Sequence, residues 1–305
     1  MNKSSDSTPT AGFLSVDAGG AAMQTLSEKR VFGAKTGTTD VFVATDTGLV
    51  VVTVSAEQIG TFGLTHRGSV TAVAADAERV LLGTDDGLRY SPLDAADRAS
   101  SPPEFAFEAV DGLPLDRVAA VGFGPAGPLV ADDAGGVFAV DLESEHHEQE
   151  GETAGVRAID GGLVAAASGV YRLDTELTHV GLDAASDVAG HGVPLAATDN
   201  GLFRLGNGWL SVANGPFDGV ASDGHGHASA VGSDGLRTQA EADGGWDREA
   251  LPVDEAVADI AYGSGLRAAV TEAGTLCVNA GDGWRHQRLG VPGVTGVAVA
   301  GSESA

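Results

Sequence analysis

Residues 79–93 read RVLLGTDDGLRYSPL. An apolar run, VLLGT, meets the polar turn Asp85-Asp86-Gly87 and gives way to a second run, LRYSPL. Asp side chains fold onto local backbone, and Gly enters positive φ without a Cβ clash. Short runs rich in Val and Leu, bounded by such a turn, favour strand over helix. The stretch therefore predicts a β-hairpin.

Copies of it recur along the chain, and the recurrence decides the fold. They are VFVATDTGLVVV (41–52), PLVADDAGGVFAV (128–140), GLVAAASGVYRL (162–173), PLAATDNGLFRL (194–205), ASAVGSDGLRT (228–238) and RAAVTEAGTLCV (267–278). With 80–90 they make seven hairpins, and the turn glycines 48, 87, 136, 169, 201, 235 and 274 lie 39, 49, 33, 32, 34 and 39 residues apart. A run of small and branched residues accompanies each: VTAVAA (70–75), RVAAVGF (117–123), VRAID (156–160), SDVAG (186–190), FDGVAS (217–222), AVADIAY (256–262) and VTGVAVA (294–300). Their Ala and Gly content suits inner strands crowded around an axis. A more polar fourth strand follows most hairpins, at 104–110, 175–182, 208–213, 245–251 and 283–289. Three of these begin Gly-Trp, and Trp209, Trp246 and Trp284 are the three tryptophans of the chain. Their common place in the repeat points to packing between neighbouring units.

Four strands in each of seven units predict an all-β, seven-bladed propeller with four-stranded blades. The first hairpin has no obvious inner strand before it, and 294–300 has no hairpin after it. The C-terminal strand is therefore expected to complete blade 1 and close the ring, which removes exposed inner edges. The competing assignment gives that place to KRVFGA (29–34). Residues 1–22 read as a disordered leader, with Met23 a candidate start, and 23–305 as one propeller domain. The acidic stretch DLESEHHEQEGE (141–152) is expected to replace the outer strand of blade 3.

The formal charge is −26, from 43 acidic and 17 basic residues. Lys is nearly absent, with Lys3, Lys29 and Lys35 against fourteen Arg, and Asp outnumbers Glu 27 to 16. Such a chain repels itself in dilute buffer. At molar salt the Debye length falls to roughly 3 Å and the repulsion is nearly cancelled. An acidic surface, scarce Lys and a small-residue core suggest a protein of a salt-loving archaeon. The acidity then says little about partners. No basic stripe offers to neutralise phosphates, so nucleic acid is not an expected partner. No run of about 20 apolar residues is present to span a membrane as a helix. The single cysteine, Cys277, forms no internal disulfide and fits a reducing cytoplasm.

The hairpin LLGTDDGLRYSPLD (81–94) resembles the repeat of two-component-regulator propellers, the sensory domains ahead of some hybrid histidine kinases. The link DGLPLDRVAAV (111–121) resembles the segment that precedes each such repeat. That family's Trp before the Ile-Gly-Thr is Leu81 here, and no kinase segment follows. Over its full length from Met23 the chain is more similar to a haloarchaeal family of stand-alone β-propellers with no assigned activity. The resemblance implies the fold and supplies no catalytic residues.

Candidate sites are few. Asp46, Asp85, Asp86, Asp132, Asp133, Asp199, Asp234 and Glu272 occupy the turns between second and third strands, where Asp-Gly chemistry also serves the turn itself. These turns are expected to share one face with the links that enter the inner strands, including Arg67, 111–117 with Arg117, and 214–218. That face is the first candidate for a protein or small-molecule partner. Carboxylates on the inner strands, Asp116, Asp160, Asp187, Asp218 and Asp259, are the alternative, as parts of an enzyme site at the channel mouth. His225 with His227, and His146 with His147, lack the three or four converging ligands a metal needs. Cys277 lies in a strand-like run and reads as buried and inert. No nucleophile elbow or phosphate loop is present, and no cofactor is expected. The sequence predicts a monomeric, cytoplasmic, non-catalytic binding module; an enzyme, or a ligand sensor serving a separate kinase, are the alternatives.

Overall fold

The structure, a computed structural model, describes residues 37–55, 58–115, 117–144, 146–242, 244–263 and 265–301. The expected leader, Met23 and residues 29–34 lie outside these. The described residues form 28 strands in seven four-stranded antiparallel sheets.

Blade 1 begins with β1 (Thr38–Thr45), β2 (Gly48–Ser55) and β3 (Gln58–Arg67). Blade 2 holds β4 (Val70–Ala75), β5 (Arg79–Thr84), β6 (Gly87–Pro92) and β7 (Glu108–Ala109), and blade 3 holds β8 (Val118–Gly124), β9 (Gly127–Asp132), β10 (Gly136–Asp141) and β11 (His146–Glu152). Blade 4 holds β12 (Val156–Asp160), β13 (Leu163–Ala166), β14 (Gly169–Leu173) and β15 (Leu177–Gly181). Blade 5 holds β16 (Ala185–Ala189), β17 (Leu195–Thr198), β18 (Gly201–Leu205) and β19 (Trp209–Asn214). Blade 6 holds β20 (Phe217–Ser222), β21 (Ala228–Gly232), β22 (Gly235–Gln239) and β23 (Asp247–Arg248). Blade 7 holds β24 (Val257–Gly263), β25 (Leu266–Thr271), β26 (Thr275–Asn279) and β27 (Trp284–Arg288), and β28 (Val294–Val299) follows.

The last of these closes the ring. β28 pairs antiparallel with β1, Val41 opposite Val299 and Val43 opposite Val297, as the inner strand of blade 1. Beyond it, the Ala300 amide donates to the Asp40 carbonyl and the Gly301 amide to the Asp76 carbonyl, both at 2.9 Å.

Why these strands form is visible in their burial. Hairpin strands alternate their side chains between two neighbouring blades, so both faces are covered, and the second strands are buried along nearly their whole length. The buried side chains divide into seven clusters, one per seam. Val41, Val50, Leu266 and Leu276 join blades 7 and 1; Phe42, Leu49, Val80 and Phe105 join blades 1 and 2. The others repeat the arrangement around the ring. The inner strands approach each other closely, as their small residues suggest: a Cβ on Gly122 of β8 would lie 2.1 Å from the Ile159 carbonyl oxygen of β12.

The outer strands depart from expectation. The acidic stretch 141–152 does not replace the outer strand of blade 3: its second half is that strand, with Val140 opposite His147 and Phe138 opposite Gln149. Alternating polar residues satisfy an outer strand, because one edge and much of its surface face water and pairing to β10 supplies its backbone partners. The longest strand, β3, carries none of the polar Trp signature and was not foreseen. The outer strands of blades 2 and 6 contract to Glu108–Ala109 and Asp247–Arg248. In blade 2 the residues before it turn back over blade 1 instead. Phe105 meets Phe42 edge-on at 5.3 Å, and Arg98 pairs with the buried Asp40 at 2.9 Å.

Candidate functional site

Antiparallel pairing puts the end of each second strand beside the start of its inner strand. The turns between second and third strands therefore share one face with the incoming links, and backbone bonds tie the two together. The Asp46 amide donates to the Gly293 carbonyl (2.8 Å), Asp133 to Arg117 (3.2 Å), Asp199 to Ala184 (3.4 Å) and Glu272 to Ala256 (3.0 Å). Just inside this face every inner strand carries a β-bulge at its second residue, shown by the register shift after its first pair. A bulge re-aims its side chain. Three of them reach the next blade: Thr295 Oγ1 donates to the Val70 carbonyl and Thr71 Oγ1 to the Val118 carbonyl, both at 2.7 Å, and Arg157 Nη1 to the Ala185 carbonyl at 3.1 Å.

In blades 1, 2 and 5 the turns are not held by the acids that stand in them. A buried threonine at the end of the second strand closes each of three turns. Thr45 Oγ1 accepts the Gly48 amide and donates to the Gly48 carbonyl. Thr198 does the same for Gly201, and Thr84 donates to the Gly87 carbonyl and accepts the Asp86 amide. In blade 3 this clasp is Asp132 itself. It is buried, and its Oδ1 accepts the amides of Gly135 and Gly136 at 2.8 and 2.7 Å. Asp132 is therefore part of the turn, not of a surface. Asp46, Asp86, Asp133, Asp199 and Glu272 are exposed, with no side-chain hydrogen bond or ion pair to a described residue. Asp85 accepts from Arg117 Nε at 2.9 Å, an exposed pair joining blades 2 and 3. Asp234 is held by Arg237 and Arg248 within blade 6.

The inner-strand carboxylates do not converge. Asp116 lies outside the described residues, and Asp218 is exposed on its bulge. Asp160 sits at the far end of β12, where Oδ2 accepts the Gly190 amide (2.7 Å) and meets His191 Nδ1 (3.2 Å). Asp187 and Asp259 hold the equivalent third position of β16 and β24. Each accepts the next amide of its own strand on Oδ1 and an amide of the following blade on Oδ2, Val220 for Asp187 and Val297 for Asp259, all at 2.7 or 2.8 Å. They brace neighbouring inner strands whose axial edges no strand covers. Burial pushes the Asp187 carboxyl up to about 8, and the negative charge of Asp259 adds to it. Burial raises Asp259 to about 6. Among the described residues no three His, Cys, Asp or Glu side chains are grouped to hold a metal.

The opposite face holds an arrangement that sequence reading missed. His191, in the β16–β17 turn, and His227, before β21, line one shallow pocket with Ser222, Arg204 and Gln239. Each imidazole is oriented by a carboxylate through Nδ1, His191 by Asp160 and His227 by Asp223 at 2.6 Å. The hydrogen bond and charge of Asp160 raise the His191 pKa. The signal available in sequence was the Asp-Gly-His-Gly-His run alone; the partner turn of blade 5 is set by the ring. His146 and His147 are successive residues of β11 and point to opposite faces of it.

Cys277 is fully buried, and burial pushes its thiol up to about 11. The tryptophans pack between blades. Trp209 Nε1 donates to the Val180 carbonyl of blade 4 (2.9 Å), Trp246 packs against the buried cluster between blades 5 and 6, and Trp284 Nε1 donates to Glu249 of blade 6 (2.8 Å). Among the described residues no helix is long and apolar enough to cross a membrane.

Several solved propellers share the architecture. The extracellular domain of BT4673 from B. thetaiotaomicron, described both as a one component and as a hybrid two component system, superposes with a TM-score of 0.56 at 15% identity over 74% of this chain. This chain spans only 35% of that domain. The computationally designed protein Ika8 (TM-score 0.56, 15% identity) is matched over 86% of this chain and 91% of its own. The Cps50 (Swd1) propeller domain of Myceliophteria thermophila (TM-score 0.56, 13% identity) is matched over 75% and 89%. At these identities the likeness is one of fold. No curated protein matches the chain in sequence. A family model does, over residues 25–300, and the chain belongs to that family, the HVO_0234-like beta propellers, named for a haloarchaeal protein.

Proposed function

We propose that this propeller is a non-catalytic binding module, monomeric and cytoplasmic, that engages a protein or small ligand through the face where turns and links meet. The observation that supports it is the division of labour in the turns. Buried Thr45, Thr84 and Thr198 close them, so the exposed carboxylates of Asp46, Asp86 and Asp199 are not needed for the fold. With Asp133 and Glu272 they form a rim of uncommitted acceptors in five blades of the ring, suited to a partner that presents cations or hydrogen-bond donors. Asp85 and Arg117 add a polar pair to it. The inner-strand carboxylates do not favour an enzyme, since both oxygens of Asp187 and of Asp259 accept backbone amides.

The test is affinity capture in about 2 M KCl, where surface repulsion is screened, comparing the chain with a variant carrying Asp46→Asn, Asp86→Asn, Asp133→Asn and Asp199→Asn. A stoichiometric partner lost by the variant supports the reading. A partner retained by the folded variant places the site elsewhere. A histidine kinase among the partners would make the module a sensor.

A further inference from the structure

Like the seams before blades 2, 3 and 4, the seam between blades 7 and 1 has no tryptophan. At the seams before blades 5 and 7 a tryptophan opens the outer strand and pairs with the last residue of the third strand, Trp209 with Leu205 and Trp284 with Asn279. On blade 1 that position is Gln58, opposite Ser55, and it is exposed. The next residue of β3, Ile59, lies opposite Val54 and packs against the buried cluster of this seam in its place.

Cross-strand pairs share a face of their sheet, which tells what the two outer strands turn towards this seam. Phe62 and Leu64 of β3 lie opposite Val52 and Val50, which bury against blade 7. Arg285 and Gln287 of β27 lie opposite Val278 and Leu276, which bury against blade 1. Phe62 and Leu64 remain 37% and 40% exposed, two of the four large apolar side chains left in water among the described residues. The two strands touch. Neither contains a carboxylate, and together they carry Arg67, Arg285 and Arg288 in a chain of net charge −26. Arg67 and Arg285 make no ion pair with a described residue, and β3 ends its sheet with ten residues of unpaired edge. Long edges with few charges are templates for another strand.

We propose that this outer surface docks an extended peptide bearing apolar and acidic side chains, which adds to the free edge of β3. Its apolar side chains cover Phe62 and Leu64, and its carboxylates meet Arg285 and Arg67. This surface is distinct from the turn-and-link face.

The experiment uses two fluorescent heptapeptides, VTVTETE and VTVTKTK, which present Val with Glu or Val with Lys along one side when extended. Fluorescence anisotropy is followed on the full chain in about 1 M KCl, where only charges in close contact still attract. The expected result is saturable binding of the Glu peptide, with the Lys peptide about tenfold weaker or worse. Phe62→Ser should weaken the Glu peptide about tenfold, and Arg285→Glu should reverse the preference between peptides. Both side chains lie at the surface, so both variants are expected to melt like the parent. The fourfold Asp→Asn variant of the turn face should bind the Glu peptide unchanged, which separates this surface from the one proposed above. Absence of saturable binding, equal binding of the two peptides, or unaltered preference in folded Arg285→Glu overturns the proposal.

Discussion

Glu249 and Arg267 are joined by two parallel hydrogen bonds across the seam of blades 6 and 7, Nη1 to Oε2 and Nη2 to Oε1, each 2.8 Å. The pair is tied further into its surroundings. Thr238 Oγ1 and Trp284 Nε1 donate to the carboxylate, Arg267 also donates to Ser229, and its guanidinium lies 4.5 Å from the Trp284 ring centroid. Arg267 is only 12% exposed, so removing its partner strands a largely buried cation. Glu249→Ala is expected to lower unfolding free energy by about 2 kcal/mol, with Glu249→Gln intermediate. Denaturant titrations at fixed salt measure it; a loss no larger than that of a surface Glu would show the network to be incidental.

The same carboxylate sets one arm of the pH dependence. Burial alone would raise the Glu249 pKa, but the hydrogen bonds from Thr238 and Arg267 and the Arg267 charge outweigh it and hold the group below its ordinary value of 4.5. A lowered folded-state pKa gives stability that is present above the unfolded value and is lost as pH falls through the folded one. The Glu249→Gln variant should therefore match the parent more closely the further pH drops below 4.5.

Asp187 works in the opposite sense. Its folded-state pKa is raised from 3.8 to about 8, so its contribution is complete below 3.8 and is lost as pH rises towards 8. Asp259 follows over the window from 3.8 to about 6. The melting temperature of the parent is expected to fall between pH 6 and pH 8 by more than that of Asp187→Asn, whatever the absolute cost of the substitution. Parallel slopes in the two proteins would refute the assignment.

Thr198 and Asp199 are neighbours with unequal duties. Thr198→Val removes the acceptor for the amides of Asn200 and Gly201 at a buried site and should cost about 2 kcal/mol. Asp199→Asn, at an exposed turn position, should stay within about 0.5 kcal/mol. Comparable losses at both positions would return the acids to the turns.

Truncation before β28 tests closure. It strips Val297 and Val299 from one seam and Ala298 from the next, and opens the inner edge of β1. Loss of a cooperative melt and self-association are expected. A truncated chain that melts like the parent would mean that another segment, such as 29–34, can fill the slot.

Salt is the broadest test. With 43 acids against 17 bases the described core must hold against its own charge, and structure is expected to fade below roughly 0.5 M KCl as screening weakens. A melt unchanged between dilute buffer and 2 M KCl excludes salt adaptation as the cause of the acidity.

The parts of the ring legible in sequence are those whose chemistry is local. VTAVAA and VRAID coincide with β4 and β12 residue for residue, because strands crowded around the axis favour small or branched residues. The hairpins are equally plain, since strand and turn write themselves into contiguous residues. The outer strands obey weaker rules. HHEQEGE forms β11 with no apolar face, and QIGTFGLTHR forms β3 without the Gly-Trp start seen elsewhere. The candidate site was legible as a list of turn acids but not as a set of roles. That Asp132 is a clasp and Asp133 is free depends on which carboxylate the Gly135 amide meets. That Asp187 is a brace depends on an amide 33 residues away, in another blade. The pairing of His191 with His227 in one pocket likewise rests on the ring.

Closure also orders events in time. Thr295 reaches the Val70 carbonyl across 225 positions of chain, and β1 has no inner partner until β28 arrives. Contacts of such sequence separation form late, because the loop between them must first be confined. As the chain leaves the ribosome, blades 2 to 7 can each assemble from residues already made, while blade 1 waits as a three-stranded remnant. Insertion of six residues into that waiting slot is then expected to be the step that commits the molecule, with the stretch VTGVAV as its latch.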